Sequence, residues 1–297
     1  MSVEYLYRKK LTLISGTAHP ALSEEIAKHL TLGLSKTIVE RFSDGEVRVK
    51  IDESIRGHDV FVIQPTCHPV NENLVELLVI IDAVRRASAH RIVAVIPYYG
   101  YARQDKKVQP REPISARLVA NLIETAGADR VIAMDLHSGA AQGFFNIPVD
   151  HLSSLKILSH AIQEHGYLAE DSVIVSPDVG GVARASEVAA RLGFPLAIIA
   201  KRRPEPNKAE IVEAIGDIEG RNCILYDDMV DTAGSVTAGA SILTDRGAKS
   251  VSVYATHGVL SGKALERIAK SPIERFVITD TIPLAESRKQ KKVDVVG

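Results

Sequence analysis

The chain has 297 residues and a formal net charge of -1 at pH 7, with 36 Lys and Arg against 37 Asp and Glu. At this length one hydrophobic core usually gives way to two, so two domains are expected, and the near-neutral balance gives no electrostatic footprint for nucleic acid or an acidic membrane surface. Hydrophobic residues make up 45% and charged residues 25%, the proportions of an ordinary globular protein, so basic residues carry information only where they cluster.

Met1–Ser15 has only a short apolar run after Arg8, Lys9 and Lys10. No later stretch approaches the roughly 18 apolar residues of a membrane span, so secretion and membrane insertion are not expected. Short β-branched runs then alternate with helical patterns. Strands are expected at 11–15, 59–64, 91–97, 130–135, 172–176, 196–200, 222–226, 250–255 and 275–279, and helices at 73–89, 115–125, 182–192 and 236–245. Residues 47–51 read Val-Arg-Val-Lys-Ile, an alternation that suits an exposed antiparallel strand forming a hairpin or flap with 37–42. Cys67 and Cys223 lie far apart with no zinc-type spacing, which fits a reducing cytoplasm.

The alternation implies βαβ units and parallel sheets. The two halves share a coarse layout, with Pro148-Val149-Asp150 as the expected joint. The expected fold is therefore α/β, with two similar domains, each a mainly parallel sheet flanked by helices. Ligands of open parallel sheets bind outside the carboxyl ends of the strands, so the chemistry is sought in the segments that end strands.

The most informative of these is Cys223–Thr237, an apolar run that meets Asp227 and Asp228 and then the small-residue loop Asp231-Thr232-Ala233-Gly234-Ser235. Backbone N–H groups of that loop, the hydroxyls of Thr232, Ser235 and Thr237, and the amino end of the following helix suit an anion. Asp227 and Asp228 are suited to accept hydrogen bonds from vicinal sugar hydroxyls or to hold a divalent cation. In Asp178-Val179-Gly180-Gly181, two glycines would permit the positive φ of a diphosphate nest, and Asp178 could hold a metal. His137, beside Asp135, is a candidate for Mg2+ or a nucleotide phosphate. Arg103-Gln104-Asp105 offers a guanidinium fork and an amide able to read a base edge. Lys201-Arg202-Arg203, followed by two prolines, reads as a cationic loop that closes on phosphates. Residues 258–264 approach a Walker A pattern, but a spacer is missing and Ala264 stands where Ser or Thr is required.

The Asp227–Ser235 stretch resembles the phosphoribosyl-diphosphate motif of the type I phosphoribosyltransferase fold, with Ser235 where Thr is usual. Together with Phe42-Ser43-Asp44-Gly45-Glu46, Arg103-Gln104-Asp105, Asp135-Leu136-His137, Ser176-Pro177-Asp178 and Lys201-Arg202-Arg203, it makes the chain similar to the ribose-phosphate diphosphokinase family over about residues 10–296. The resemblance implies two phosphoribosyltransferase-like domains, 1–149 and 150–285, with 286–297 returning to the first. It implies transfer of the diphosphoryl group of MgATP to ribose 5-phosphate, giving AMP and 5-phosphoribosyl 1-diphosphate for nucleotide, histidine and tryptophan biosynthesis.

By the same resemblance, Phe42, Asp44, Gly45 and Glu46 form an adenine-reading flap supplied by a neighbouring subunit. Arg103, Gln104, Asp105 and His137 hold ATP, and His137 and Asp178 organise Mg2+. Asp178–Gly181 receives diphosphate, Lys201 and Arg203 stabilise the transferring group, and Arg203, Asp227, Asp228 and Asp231–Ser235 bind ribose 5-phosphate. Hexamers built from dimers are implied, with ADP as inhibitor and inorganic phosphate as activator at a site where Ser54, Arg56, Ser88 and Arg91 bind anions. The family chain usually continues past Val293–Val296 into a tail that contributes to that site, so the end at Gly297 implies either a shortened sequence or an altered site. Two other readings are a phosphoribosyltransferase that consumes the diphosphate and a non-catalytic paralogue. The first leaves the Phe42 segment and the Lys201 cations unexplained, and the second leaves Lys201, Arg203, His137 and Asp178 without a purpose.

Overall fold

The computed structural model describes residues 10–202 and 211–297, and it has two compact units: one runs to Leu152 and takes in Thr281–Pro283, the other holds Ser153–Asp280 and Leu284–Gly297. Among the described residues no helix is long and apolar enough to cross a membrane.

In the first unit β1 (Leu11–Ser15), β4 (Asp59–Ile63), β5 (Arg91–Ile96), β6 (Arg130–Met134) and β7 (Val149–Leu152) form a parallel sheet in that order. α1 (Pro20–His29), α2 (Val70–Arg86) and α3 (Ser115–Ala126) connect them. On α2 the residues Leu77, Ile80, Ile81 and Val84 recur at helical spacing and are fully buried against Val60, Val62, Ile92 and Ala94 of the sheet. Each such side chain contributes about 1.5–3 kcal/mol on burial. β2 (Thr37–Arg41) and β3 (Val47–Ile51) make the expected antiparallel hairpin, with Val39 paired to Val49 and Arg41 to Val47. The β-strand period of two puts Val39, Val49 and Ile51 on the face packed against the core. The expected joint at Pro148-Val149-Asp150 falls at β7, which pairs with β6 and so closes the first sheet. The break between units follows Leu152.

A polar knot interrupts this apolar core. Glu76 of α2 is 1% exposed. It accepts hydrogen bonds from Thr17 N (2.7 Å), Thr17 Oγ1 (2.7 and 2.9 Å) and Gln64 Nε2 (2.8 Å), and Gln64 Oε1 in turn accepts from Ala18 N (3.1 Å). Gly16 makes the knot possible, because a Cβ there would stand 2.2 Å from Gln64 Oε1. Gly16→Ala is therefore expected to push the buried Gln64 amide off its partners and cost about 1–3 kcal/mol. A urea midpoint unchanged from the parent chain would contradict that.

The second unit contains α4 (Leu155–Glu164), β8 (Ser172–Ser176), α5 (Val182–Leu192), β9 (Leu196–Arg202), β10 (Ile211–Ile215), β11 (Asn222–Val230), α6 (Gly234–Asp245), β12 (Ser250–Gly258), α7 (Ala264–Lys270), β13 (Arg275–Thr279) and β14 (Val293–Val296). Its sheet runs β10-β9-β8-β11-β12-β13-β14, parallel except for β10 against β9. The chain leaves β8 towards β9 on one side and leaves β11 towards β12 on the other. The order thus reverses between β8 and β11, and their carboxyl ends flank the crevice where open sheets take ligands.

Residues 286–297 do not return to the first unit. Val293–Val296 pairs in parallel with Phe276–Thr279 and extends the second sheet. A four-residue apolar run gives too little sequence signal to reveal this pairing.

Candidate active site

At the reversal point β11 extends further than its apolar run suggests. β8 pairs with it only to Leu225, whereas β12 continues alongside to Val230, matching Asp227 with Ala255 and Val230 with Gly258. Asp227 and Asp228 therefore lie within the strand and not in the loop that follows it. Asp228 is 2% exposed and takes a 2.9 Å hydrogen bond from Arg184 Nη1 of α5. The same guanidinium nitrogen reaches Asp227 Oδ1 at 3.5 Å, and Asp228 N donates to that oxygen at 2.8 Å. Burial first, and the neighbouring Asp228 second, push the Asp227 carboxyl up to about 8. Two carboxylates share one guanidinium, so the pair is poised to accept donors such as vicinal hydroxyls.

The loop after β11 is held from outside. Arg267 Nη1 of α7 donates to Thr232 O at 2.7 Å, Ser261 N donates to Asp231 O at 3.0 Å, and Ser261 Oγ donates to Asp231 Oδ1. Ala233 takes φ 60°, ψ 7°, and α6 starts at Gly234 with no side-chain cap. A left-handed alanine costs about 1–2 kcal/mol; the N–H groups of Ser235 and Val236, in the first turn of α6, have no intrahelical acceptor. Thr232 and Ser235 are exposed, and their hydroxyls have no hydrogen-bond partner among the described residues. The Thr237 hydroxyl, expected to face an anion, instead donates to Ala233 O at 2.7 Å inside the helix. A helical residue four positions along is spent on the backbone behind it.

Across the crevice, the loop after β8 is closed by Asp178: Gly181 N donates to its Oδ1 at 2.9 Å, and Ser176 Oγ donates to its backbone carbonyl at 2.7 Å. Neither Gly180 nor Gly181 has the positive φ expected of a nest; Gly181 sits at φ -83°. The requirement at Gly181 is space, since a Cβ would stand 2.9 Å from Ser176 Oγ. Lys201 and Arg202 are not loop residues but the last residues of β9, paired with Val212 and Ile211 of β10. Arg203 lies outside the described residues.

In the first unit the candidate residues again follow strand ends. After β5, Gly100 packs so that a Cβ would meet Thr66 O at 2.5 Å, Tyr101 is left-handed at φ 67°, and Gln104 Oε1 accepts from Ser115 Oγ at 2.5 Å. Arg103 and Gln104 are exposed, and Asp105 is half-buried. After β6, Asp135 has φ 35° and His137 is exposed. Non-glycine residues at positive φ thus follow β5, β6, β11 and β12 (Tyr101, Asp135, Ala233 and Leu260), and such strain gathers at ligand sites. At the hairpin tip Gly45 takes φ 94°, Phe42 N donates to Glu46 O at 2.8 Å, Glu46 N donates to Asp44 Oδ1 at 3.1 Å, and Phe42 is 53% exposed. An aromatic face so open has lost the burial that would repay it and is available for stacking.

The family models decide what these loops belong to. Residues 11–127 match the N-terminal domain of ribose phosphate pyrophosphokinase, and residues 203–296 match the phosphoribosyl synthetase-associated domain. The chain is 55% identical over 293 residues to a ribose-phosphate pyrophosphokinase of Bacillus cereus, covering 99% of this chain and 92% of that one. A Corynebacterium ammoniagenes relative of the same name is 54% identical, with the same coverage. The chain belongs to the ribose-phosphate pyrophosphokinase family. A phosphoribosylpyrophosphate synthetase crystal structure from Mycobacterium smegmatis superposes with a TM-score of 0.91 at 45% identity, over 97% of this chain and 94% of that chain.

Three residues that fasten this candidate site escaped the sequence: Arg184 on α5, Arg267 on α7 and Ser261 in the loop after β12. The two arginines lie outside the strand-ending loops, and only the packing of their helices near the end of β11 brings them to bear; Ser261 lies in a strand-ending loop but in a stretch weighed only against a Walker A pattern. The residues suited to a metal are few. Among the described residues no three His, Cys, Asp or Glu side chains form a cage. Asp178 spends Oδ1 on Gly181 N and sits on an exposed loop, so its carboxylate fits a hard cation. Such a cation as Mg2+ keeps several waters and takes its remaining oxygens from phosphates. In the first unit Ser54, Arg56 and Arg91 are exposed, and Gly57 N donates to Ser88 O at 2.9 Å, which brings the 54–57 and 88–91 segments together at the amino ends of β4 and β5.

Proposed function

We propose that the chain transfers the β,γ-diphosphoryl group of ATP to the C1 hydroxyl of ribose 5-phosphate, releasing AMP and forming 5-phosphoribosyl 1-diphosphate. The observation that carries this reading is the pairing, at one sheet crevice, of the Asp227–Asp228 carboxyls with the uncapped start of α6. A diol acceptor and a phosphate cradle side by side suit a sugar phosphate.

In this reading the Ser235 and Val236 N–H groups, with the Thr232 and Ser235 hydroxyls, hold the 5-phosphate. Asp227 accepts from the ribose hydroxyls, and Arg184 holds the pair in place. Ala233 and Gly234 keep the backbone close to the anion, and Asp231 is fixed by Ser261. The diphosphoryl group lies along Asp178–Gly181, where Lys201 and Arg203 offset the charge that develops on its oxygens. Phe42 stacks on adenine, while Asp44, Gly45 and Glu46 read its edge. Arg103, Gln104, Asp105 and His137 hold the nucleotide. Mg2+ would neutralise charge on the phosphates when bound; Asp178 is the oxygen ligand suited to it in the second unit, and His137 is the separate candidate in the first. The sugar hydroxyl attacks the β-phosphorus in line, so no side-chain nucleophile is required.

Hexamers built from dimers, ADP inhibition, activation by inorganic phosphate and a cytoplasmic location complete the proposal. The segments holding Ser54, Arg56, Ser88 and Arg91 lie at the opposite strand ends from Arg103 and His137 in the same unit, which supports a separate anion site there. In a product assay the chain should release AMP from ATP only when ribose 5-phosphate is present. ADP formation would contradict the reading.

A further inference from the structure

We propose that Arg41, gripped by the buried Glu76 carboxylate, is the positioning residue that sets the pose of the Phe42–Glu46 turn and with it the affinity for ATP. The inference rests on the reading of that turn as adenine-binding. Arg41 ends β2 and adjoins Phe42. The hairpin register puts it opposite Val47, on the face that also carries Val39 and Val49 towards the core. Its Nη2 lies 3.1 Å from Glu76 Oε2, with the Arg41 side chain 37% exposed and that of Glu76 1%.

Thr17 and Gln64 satisfy the hydrogen-bonding capacity of Glu76, but they are neutral. Among the described residues Arg41 makes the ion pair recorded for that carboxylate. A carboxylate removed from water holds a cation far more firmly than an exposed one. The hairpin is otherwise fastened by the partly buried Val39, Val49 and Ile51, all further from the tip or on the partner strand. The ion pair is thus the anchor next to the reading turn, and it joins the turn to the Gly16–Ala18 loop through one carboxylate.

The test compares steady-state kinetics of the full-length enzyme with those of Arg41→Gln, Arg41→Lys and Phe42→Ala. Arg41→Gln is expected to raise KM for ATP about tenfold and leave KM for ribose 5-phosphate unchanged. Arg41→Lys, which keeps the charge, should recover most of the loss. If Phe42→Ala raises KM for ATP and Arg41→Gln does not, the positioning role is overturned and the adenine reading stands. If Phe42→Ala leaves KM for ATP unchanged, the adenine reading fails and takes the inference with it. Equal rises in both KM values for Arg41→Gln, with a lowered melting temperature, would mark a merely structural contact and also overturn it.

Discussion

Replacing Lys201 by Ala is expected to lower kcat by about two to three orders of magnitude while leaving both KM values within a few-fold. In a displacement at phosphorus the protein forms no bond to the transferring group, so a cation contributes mainly by meeting charge that grows as the bridging bond breaks. A cation acting mainly then changes turnover and not ground-state binding. The backbone suits that role: Lys201, next to last in β9, is paired with Val212 in a β9–β10 ladder, which fixes its Cα more firmly than a loop would. Steady-state kinetics on Lys201→Ala and Lys201→Arg check it. A near-normal kcat for the alanine variant would remove Lys201 from the chemistry, and a large rise in KM with kcat kept would assign it to binding alone.

At a pH above about 8, where its carboxyl is ionised, Asp227→Asn is expected to raise KM for ribose 5-phosphate about ten- to hundredfold, the equivalent of losing charge-assisted hydrogen bonds of about 1.5–3 kcal/mol. The wild-type chain should also show a pH signature. An acid whose pKa is raised on folding, here from 3.8 to about 8, keeps its proton in the folded chain at pH values where the unfolded chain has released it. Its contribution to stability is full below the unfolded value and is lost as pH rises through about 8. The unliganded enzyme should therefore lose stability across that window, and Asp227→Asn should lose less. Binding runs the other way, because sugar hydroxyls donate best to the ionised carboxylate. KM for ribose 5-phosphate should fall as pH climbs through the same window. A flat KM profile together with an unchanged Asp227→Asn KM would place the sugar elsewhere.

Much of this fold is written plainly in the sequence, and the misses have physical causes. The parallel strands are apolar runs because both faces of such sheets are covered, and the hairpin shows as Val-Arg-Val-Lys-Ile because one face is wet. Strand ends were harder. Asp227–Val230 and Lys201–Arg202 look like loops on propensity, but pairing with β12 and β10 holds them extended. The candidate loops at strand ends were visible as acidic, cationic and glycine-rich breaks. What fastens them was not: Arg184 and Arg267 read as ordinary solvated helix charges. Glu76 did leave a trace. It lies four residues before Ile80 on the buried stripe of α2, an acidic residue where the helical period demands an apolar one. Gly180 and Gly181 suggested unusual backbone angles, and the structure shows instead a close approach of Gly181 to Ser176.

Diphosphoryl transfer is distinguished most directly by the fate of the β-phosphorus. ATP carrying a phosphorus label at that position is incubated with the chain, ribose 5-phosphate and Mg2+, and the products are separated by charge. The label is expected in 5-phosphoribosyl 1-diphosphate, with unlabelled AMP formed in equal amount. Label retained in ADP, with only the terminal phosphate moved to the sugar, would contradict the account.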